Sequence, residues 1–258
     1  MVTVFFNWGI VGEMTPFRLS VLIVFLLAGM MTPGTCFCAG DRPYATVILL
    51  HGLGRTSGSF QKMAKHLKQH GYDVLNIDYP SRKHDIRTLT STFIRPAIVK
   101  QGVDKAEKIH FVTHSMGGII VRYYLKMYPA KNIGRIVMLS PPNQGSEVVD
   151  FLKDRIIVEE VMGPAFDQLS TDPVGFVNTL GDVNAEVGII AGSRSINWIS
   201  SLIIPGADDG KVSVNRARLK NMADFIVVKR THSFIMTADE VLDAVTRFLE
   251  KGRFSASN

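Results

Sequence analysis

Cysteine is nearly absent: Cys36 and Cys38 are the only two in 258 residues, and both fall within the first forty. The chain beyond them can form no internal disulfide, even in an oxidising compartment, and has no thiol to use as a nucleophile. There is no internal repeat and no low-complexity linker, so nothing divides residues 41–258 into more than one domain. Neither G-x-G-x-x-G nor a lysine-terminated phosphate loop occurs, which argues against a dinucleotide or phosphate site. The net charge is +6, with basic clusters at Arg82, Lys83 and Arg87 and at Lys211, Arg216, Arg218 and Lys220. No stacking aromatics are interleaved with them and no nucleic-acid motif accompanies them, so no nucleic-acid partner is expected. They read as a solvated face, with contact to an anionic membrane surface as the alternative.

No apolar run reaches the roughly twenty residues of a membrane-spanning helix. Residues 19–31 come nearest; they follow Arg18 and open an uncharged stretch that lasts to Gly40. That length suits the core of a secretory signal, and Cys36, Cys38 and Ala39 supply small residues for cleavage. Residues 1–40 are therefore expected to be a signal peptide or an N-terminal membrane anchor, translated from Met1 or Met14. The domain behind it is expected to be exported, periplasmic or secreted, or else anchored in the membrane. Glu13 and Arg18, the only charges of the segment, cancel, so the positive balance survives its removal.

The whole chain is 46% hydrophobic and 20% charged, enough for one domain with a large core. Short apolar runs at 45–50, 73–79, 108–113, 135–139, 187–191 and 225–228 have strand length, and 59–70, 119–128 and 241–249 carry helical periodicity. Continuous rather than alternating apolar strands, separated by helices, predict an α/β fold: a doubly wound, mostly parallel sheet covered on both faces. Residues 145–180 break the alternation, rich in apolar side chains such as Val148, Val149, Phe151, Leu152, Val161 and Phe166 but without a strand signature. They are read as a helical cap insertion.

Ligands of open α/β sheets bind beyond the carboxyl ends of the strands. Three such positions carry chemistry. The sequence THSMGG, directly after a strand and before a helix, sets Ser115 on a sharp turn where a base can reach its hydroxyl, the pattern G-x-S-x-G with Thr113 at its first position. An N-capping serine on an ordinary helix is the plain alternative. After the first strand, HGLG offers a tight loop whose Leu53 N–H, with that of Met116, is a candidate oxyanion donor pair; a simple glycine turn is the alternative. Near the end come Asp208 and Asp209 in PGADDGKVSV and His232 in KRTHSF. Serine, aspartate, histidine is the chain order of one of the unrelated triad-bearing folds, and the imidazole needs a carboxylate to fix its tautomer.

With HGLGRTSGSF, THSMGG, SPPNQGSEVVD and ADDGKVSV in view, the chain resembles the bacterial lipase and esterase branch of the α/β-hydrolase superfamily over most of residues 43–250. The resemblance implies the α/β-hydrolase fold, Ser115, Asp209 and His232 as catalytic residues, Leu53 and Met116 around an oxyanion, and no cofactor. It favours Asp209 over Asp208, the former being nearer the turn into V-S. Some similar lipases bind calcium through an aspartate soon after the histidine; Ser233 and Phe234 stand there, so no metal is carried over. The implied function is cleavage of a lipid-like or small carboxylic ester through an acyl-enzyme. Thioester or amide cleavage, acyl transfer, and a non-catalytic binding protein retaining the fold remain alternatives.

Mass spectrometry of the mature N-terminus checks the leader. A start after the small residues near 36–40 is expected in an exported fraction, and a cytoplasmic chain beginning at Met1 or Met14 would refute export.

Overall fold

A computed structural model describes residues 45–153, 155–196 and 198–255; the expected leader lies outside the described residues. Six strands form one sheet: β1 (Thr46–Leu50), β2 (Asp73–Ile77), β3 (Ile109–His114), β4 (Ile133–Leu139), β5 (Val187–Gly192) and β6 (Asp224–Val228). Their order is β2-β1-β3-β4-β5-β6, and every pairing is parallel. All six coincide with the expected runs to within two residues at each end. The helices that matter for the site are α1 (Gln61–Gln69), α2 (Met116–Met127), α3 (Glu147–Leu152), α4 (Ile156–Met162), α5 (Trp198–Ile203) and α6 (Asp239–Lys251).

The strands read as unbroken apolar runs because both faces are covered. Ile48 and Leu50 of β1, Phe111 of β3 and Met138 of β4 pack with Ile119, Ile120 and Tyr124 of α2. Their sequence neighbours Val47, Leu49, Val112 and Val137 pack on the opposite face with Met63 and Leu67 of α1 and Val241, Val245 and Phe248 of α6. This alternation is the period-two geometry of a strand, with hydrocarbon on both sides.

Two regions depart from the sequence reading. Three helical pieces follow β2, namely Ile86–Thr88, a π-helical turn Leu89–Ile94 and Arg95–Lys100, in a stretch given no element because its periodicity shifts at that turn. Among the described residues of 145–180, helix is confined to α3, α4 and a 3₁₀ turn Asp167–Leu169, since Gly163, Pro164, Pro173 and Gly175 interrupt the rest. Side chains hold this irregular backbone. The Asp150 carboxylate accepts from the Thr171 N–H at 3.1 Å and the Ser170 hydroxyl at 2.7 Å. The Arg122 guanidinium of α2 donates to the carbonyls of Asn143 at 2.8 Å and of Val177 and Gly181, both at 3.2 Å. Burial lowers the pKa of Arg122 to about 10, so it remains charged at neutral pH.

In β3, His110 accepts from the Arg135 N–H at 2.7 Å through Nδ1 and meets the Tyr72 ring edge to face. Burial, with the nearby charges of Lys108 and Arg135, lowers its pKa from 6.5 to about 4. A folded-state pKa below the unfolded value means that protonation favours unfolding. The stability supplied by neutral His110 is therefore complete above pH 6.5 and drains as pH falls through 4, an effect of about 3 kcal/mol. Urea unfolding at pH 7 and pH 4.5 is expected to show a clearly smaller loss for His110→Gln than for the native chain; equal losses would remove His110 from the account.

Candidate active site

Between β3 and α2 the backbone turns sharply at Ser115, whose φ of 53° and ψ of −123° lie where few side-chain-bearing residues go. The turn brings the start of α2 hard against β1: a Cβ on Gly117 would stand 2.3 Å from the Leu50 carbonyl oxygen. Only glycine fits there. Thr113, at the position of the motif's first glycine, lies in strand β3, where β-branched residues are at home.

Parallel strands deliver their carboxyl ends to one edge of the sheet, and the candidate residues collect there. His232 follows β6, with Nε2 lying 2.9 Å from the Ser115 hydroxyl and Nδ1 lying 2.8 Å from Asp209 Oδ2. A carboxylate accepts only, so the Nδ1 proton belongs to the Asp209 bond and Nε2 is left to accept from Ser115. All three residues are buried. Asp209 also accepts from the N–H groups of Val212 at 2.9 Å and Lys211 at 3.1 Å. Burial opposes its ionisation, but His232, the Ser140 hydroxyl and the Val212 N–H outweigh it and hold the carboxyl below its ordinary value. Asp208 turns elsewhere, accepting from the Gly210 N–H at 2.7 Å and the Ser201 hydroxyl at 3.2 Å. It shapes the loop and has no contact with the imidazole.

The loop after β1 is held by its histidine. His51 stacks on Tyr79 at 3.9 Å between ring centroids, the Tyr79 hydroxyl donates to the His51 carbonyl, and the Gly54 N–H donates to Ser81 at 3.0 Å. Leu53 from this loop borders the same cavity as Ser115. Met116 begins α2, where N–H groups lack intrahelical acceptors.

Two neighbours of the site escaped the sequence reading. His114, which precedes the candidate serine, donates from Nε2 to the His232 carbonyl at 2.9 Å. Burial first, then the proximity of His232, holds its pKa far below 6.5, so it is neutral. Ser140, just past β4, adopts a φ of 46°, accepts from the Gly192 N–H at 3.1 Å and helps hold the Asp209 carboxyl below its ordinary value. Its place at a strand's carboxyl end was the signal that could have found it.

Above Ser115 lies a cavity of about 240 Å³. Its wall is largely apolar, formed by Val149, Leu152, Met162, Phe166 and Leu169 from the segment between β4 and β5, while Arg55 and Lys211 supply its positive charge. Among the described residues no three His, Cys, Asp or Glu side chains converge as a metal site requires, and no helix is long and apolar enough to cross a membrane.

Residues 45–157 match a family model described as the alpha/beta hydrolase fold. A lysosomal thioesterase of Xenopus laevis is 28% identical over 118 residues, covering 43% of this chain and 40% of its own. The chain thus aligns with about two fifths of that relative's length. A lipase of Bacillus licheniformis superimposes with a TM-score of 0.66 at 20% identity, covering 81% of this chain and 93% of the lipase. A phospholipase of Legionella pneumophila superimposes with a TM-score of 0.61 at 16% identity, covering 81% of this chain and 60% of its own. At such identities the solved structures speak to fold alone. With the parallel six-stranded sheet, the matched family model and these superpositions in agreement, the chain has the α/β-hydrolase fold.

Proposed function

We propose that the protein is a serine hydrolase cleaving carboxylic esters through an acyl-enzyme, as a lipase or esterase. The observation that carries this reading is the pair of hydrogen bonds from Asp209 through His232 to Ser115, ending beneath an apolar cavity. Ser115 attacks the ester carbonyl as its proton passes to His232 Nε2, and Asp209 stabilises the imidazolium. The oxyanion is met by the N–H groups of Leu53 and Met116, fixed donors that need no reorientation. His232 returns the proton to the departing alcohol. Water then gives a proton to His232 while attacking the acyl carbon, releasing the carboxylic acid and restoring Ser115. The apolar wall from residues 145–180 suits a hydrocarbon acyl chain.

A second reading is thioester cleavage, favoured by the 28% identical stretch shared with a lysosomal thioesterase. The steps are the same, with a thiol as leaving group. Matched oxygen and sulfur esters of one acyl chain separate the two readings by their kcat/KM values.

Labelling by a fluorophosphonate probe is expected in the native chain and lost in Ser115→Ala; labelling independent of Ser115 would defeat the proposal. Against p-nitrophenyl esters, Ser115→Ala and His232→Ala are each expected to lower kcat by about 10⁴ to 10⁶, with the double variant little worse, because the residues act as one unit. Losses that multiply would contradict a shared proton transfer.

Asp209→Asn is expected to cost about 10⁴ in kcat by spoiling the imidazole tautomer. Asp208→Asn keeps an acceptor for the Gly210 N–H and is expected to retain most activity; the reverse ranking would exchange the two roles.

A further inference from the structure

Two positive charges border the cavity beside Ser115, and among the described residues no carboxylate lines it with them. Arg55 comes from the loop after β1 and Lys211 from the loop that carries Asp209. The ion pairs among the described residues are made elsewhere, such as Arg216 with Glu147 and His232 with Asp209, and none includes Arg55 or Lys211. The Arg55 guanidinium and the Lys211 backbone are both anchored next to the imidazole. Arg55 Nη2 donates to the Ser233 carbonyl at 3.1 Å, one residue past His232. The Lys211 N–H donates to Asp209 Oδ1 at 3.1 Å, and its carbonyl accepts from the Ser146 hydroxyl at 2.7 Å.

The two charges also sense each other. Burial and then the charge of Arg55 lower the pKa of Lys211, while Asp209 opposes the shift. Lys211 keeps solvent access at the cavity's edge. Like charges that border one cavity whose lining holds no carboxylate carry a cost that an arriving anion lowers.

Position decides which part of a substrate meets them. The apolar wall contributed by Val149, Leu152, Met162, Phe166 and Leu169 takes hydrocarbon and leaves an acyl chain no reason to carry charge. The leaving group collects its proton from His232, so it departs on the imidazole side, which Arg55 and Lys211 flank. We propose that Arg55 and Lys211 form an anion subsite for the leaving group, and that the preferred substrates are acyl esters or thioesters whose alcohol or thiol part bears a phosphate or carboxylate. This rests on the hydrolase reading and adds a substrate class to it.

Three butyrate esters test the subsite: 4-(butyryloxy)benzoate, 4-(butyryloxy)phenyl phosphate and the neutral methyl 4-(butyryloxy)benzoate. Each kcat/KM is divided by the ester's spontaneous hydrolysis rate, which removes differences in leaving-group reactivity. The native chain is expected to favour at least one anionic ester by about tenfold or more, less so in about 0.5 M NaCl. The larger ratio shows whether phosphate or carboxylate is the better fit. Arg55→Gln and Lys211→Met are each expected to lower that ratio several-fold, whereas Arg55→Lys and Lys211→Arg retain it. A native ratio near one, or a ratio unmoved by both neutralising variants, overturns the subsite while Ser115-dependent turnover of the neutral ester leaves the hydrolase reading standing. Absence of Ser115-dependent turnover on all three esters overturns both.

Discussion

Between the start of α2 and the end of β1 there is no room for a methyl group, because a Cβ on Gly117 would approach the Leu50 carbonyl oxygen to 2.3 Å. Much of the site's geometry follows from that contact. A helix seated so close to the sheet forces the preceding residue through a tight reversal, and the strained backbone of Ser115 is its result. The reversal lifts the hydroxyl off the sheet's edge toward His232, which arrives from β6 at the other side of β3. Gly52 belongs to the same constraint, since a Cβ there would meet the His114 ring at 2.9 Å and Ser115 at 3.1 Å. Two glycines thus let two loops converge on one serine.

Charge is distributed around this point with the same economy. A buried carboxylate is costly unless it is hydrogen-bonded, and Asp209 accepts from His232 and two backbone N–H groups. His114, a second imidazole 4.8 Å from His232, would repel an imidazolium if it were charged. Its burial keeps it neutral, so it holds the His232 backbone without opposing the charge that the proposed reaction creates.

The strands were legible because hydrocarbon on both faces of a parallel sheet leaves a continuous apolar signature, and the turn at Ser115 was legible because its glycines sit at fixed offsets between strand and helix. The choice between Asp208 and Asp209 was not legible from the residues alone. Both are carboxylates, both are buried, and only loop geometry sends one to His232 and the other to Gly210 and Ser201. Ser140 and His114 were missed for a related reason, that their partners are far away in sequence. The irregular half of residues 145–180 has no period to read, because side chains such as Asp150 and Arg122 replace the backbone ladder there. Nothing in the sequence marks Arg122, which is buried and donates to three carbonyls.

That guanidinium pins both feet of the segment, near Asn143 and near Gly181, to a single helix. Whatever lies between the feet is mechanically a cassette: its length and side chains can vary while the anchor points, and the sheet beneath them, stay where they are. Exchange of residues 147–176 for a segment of different bulk, with Arg122 and its three acceptor carbonyls left in place, is thus a route to reshaping the cavity above Ser115 without disturbing the serine turn at the start of the same helix.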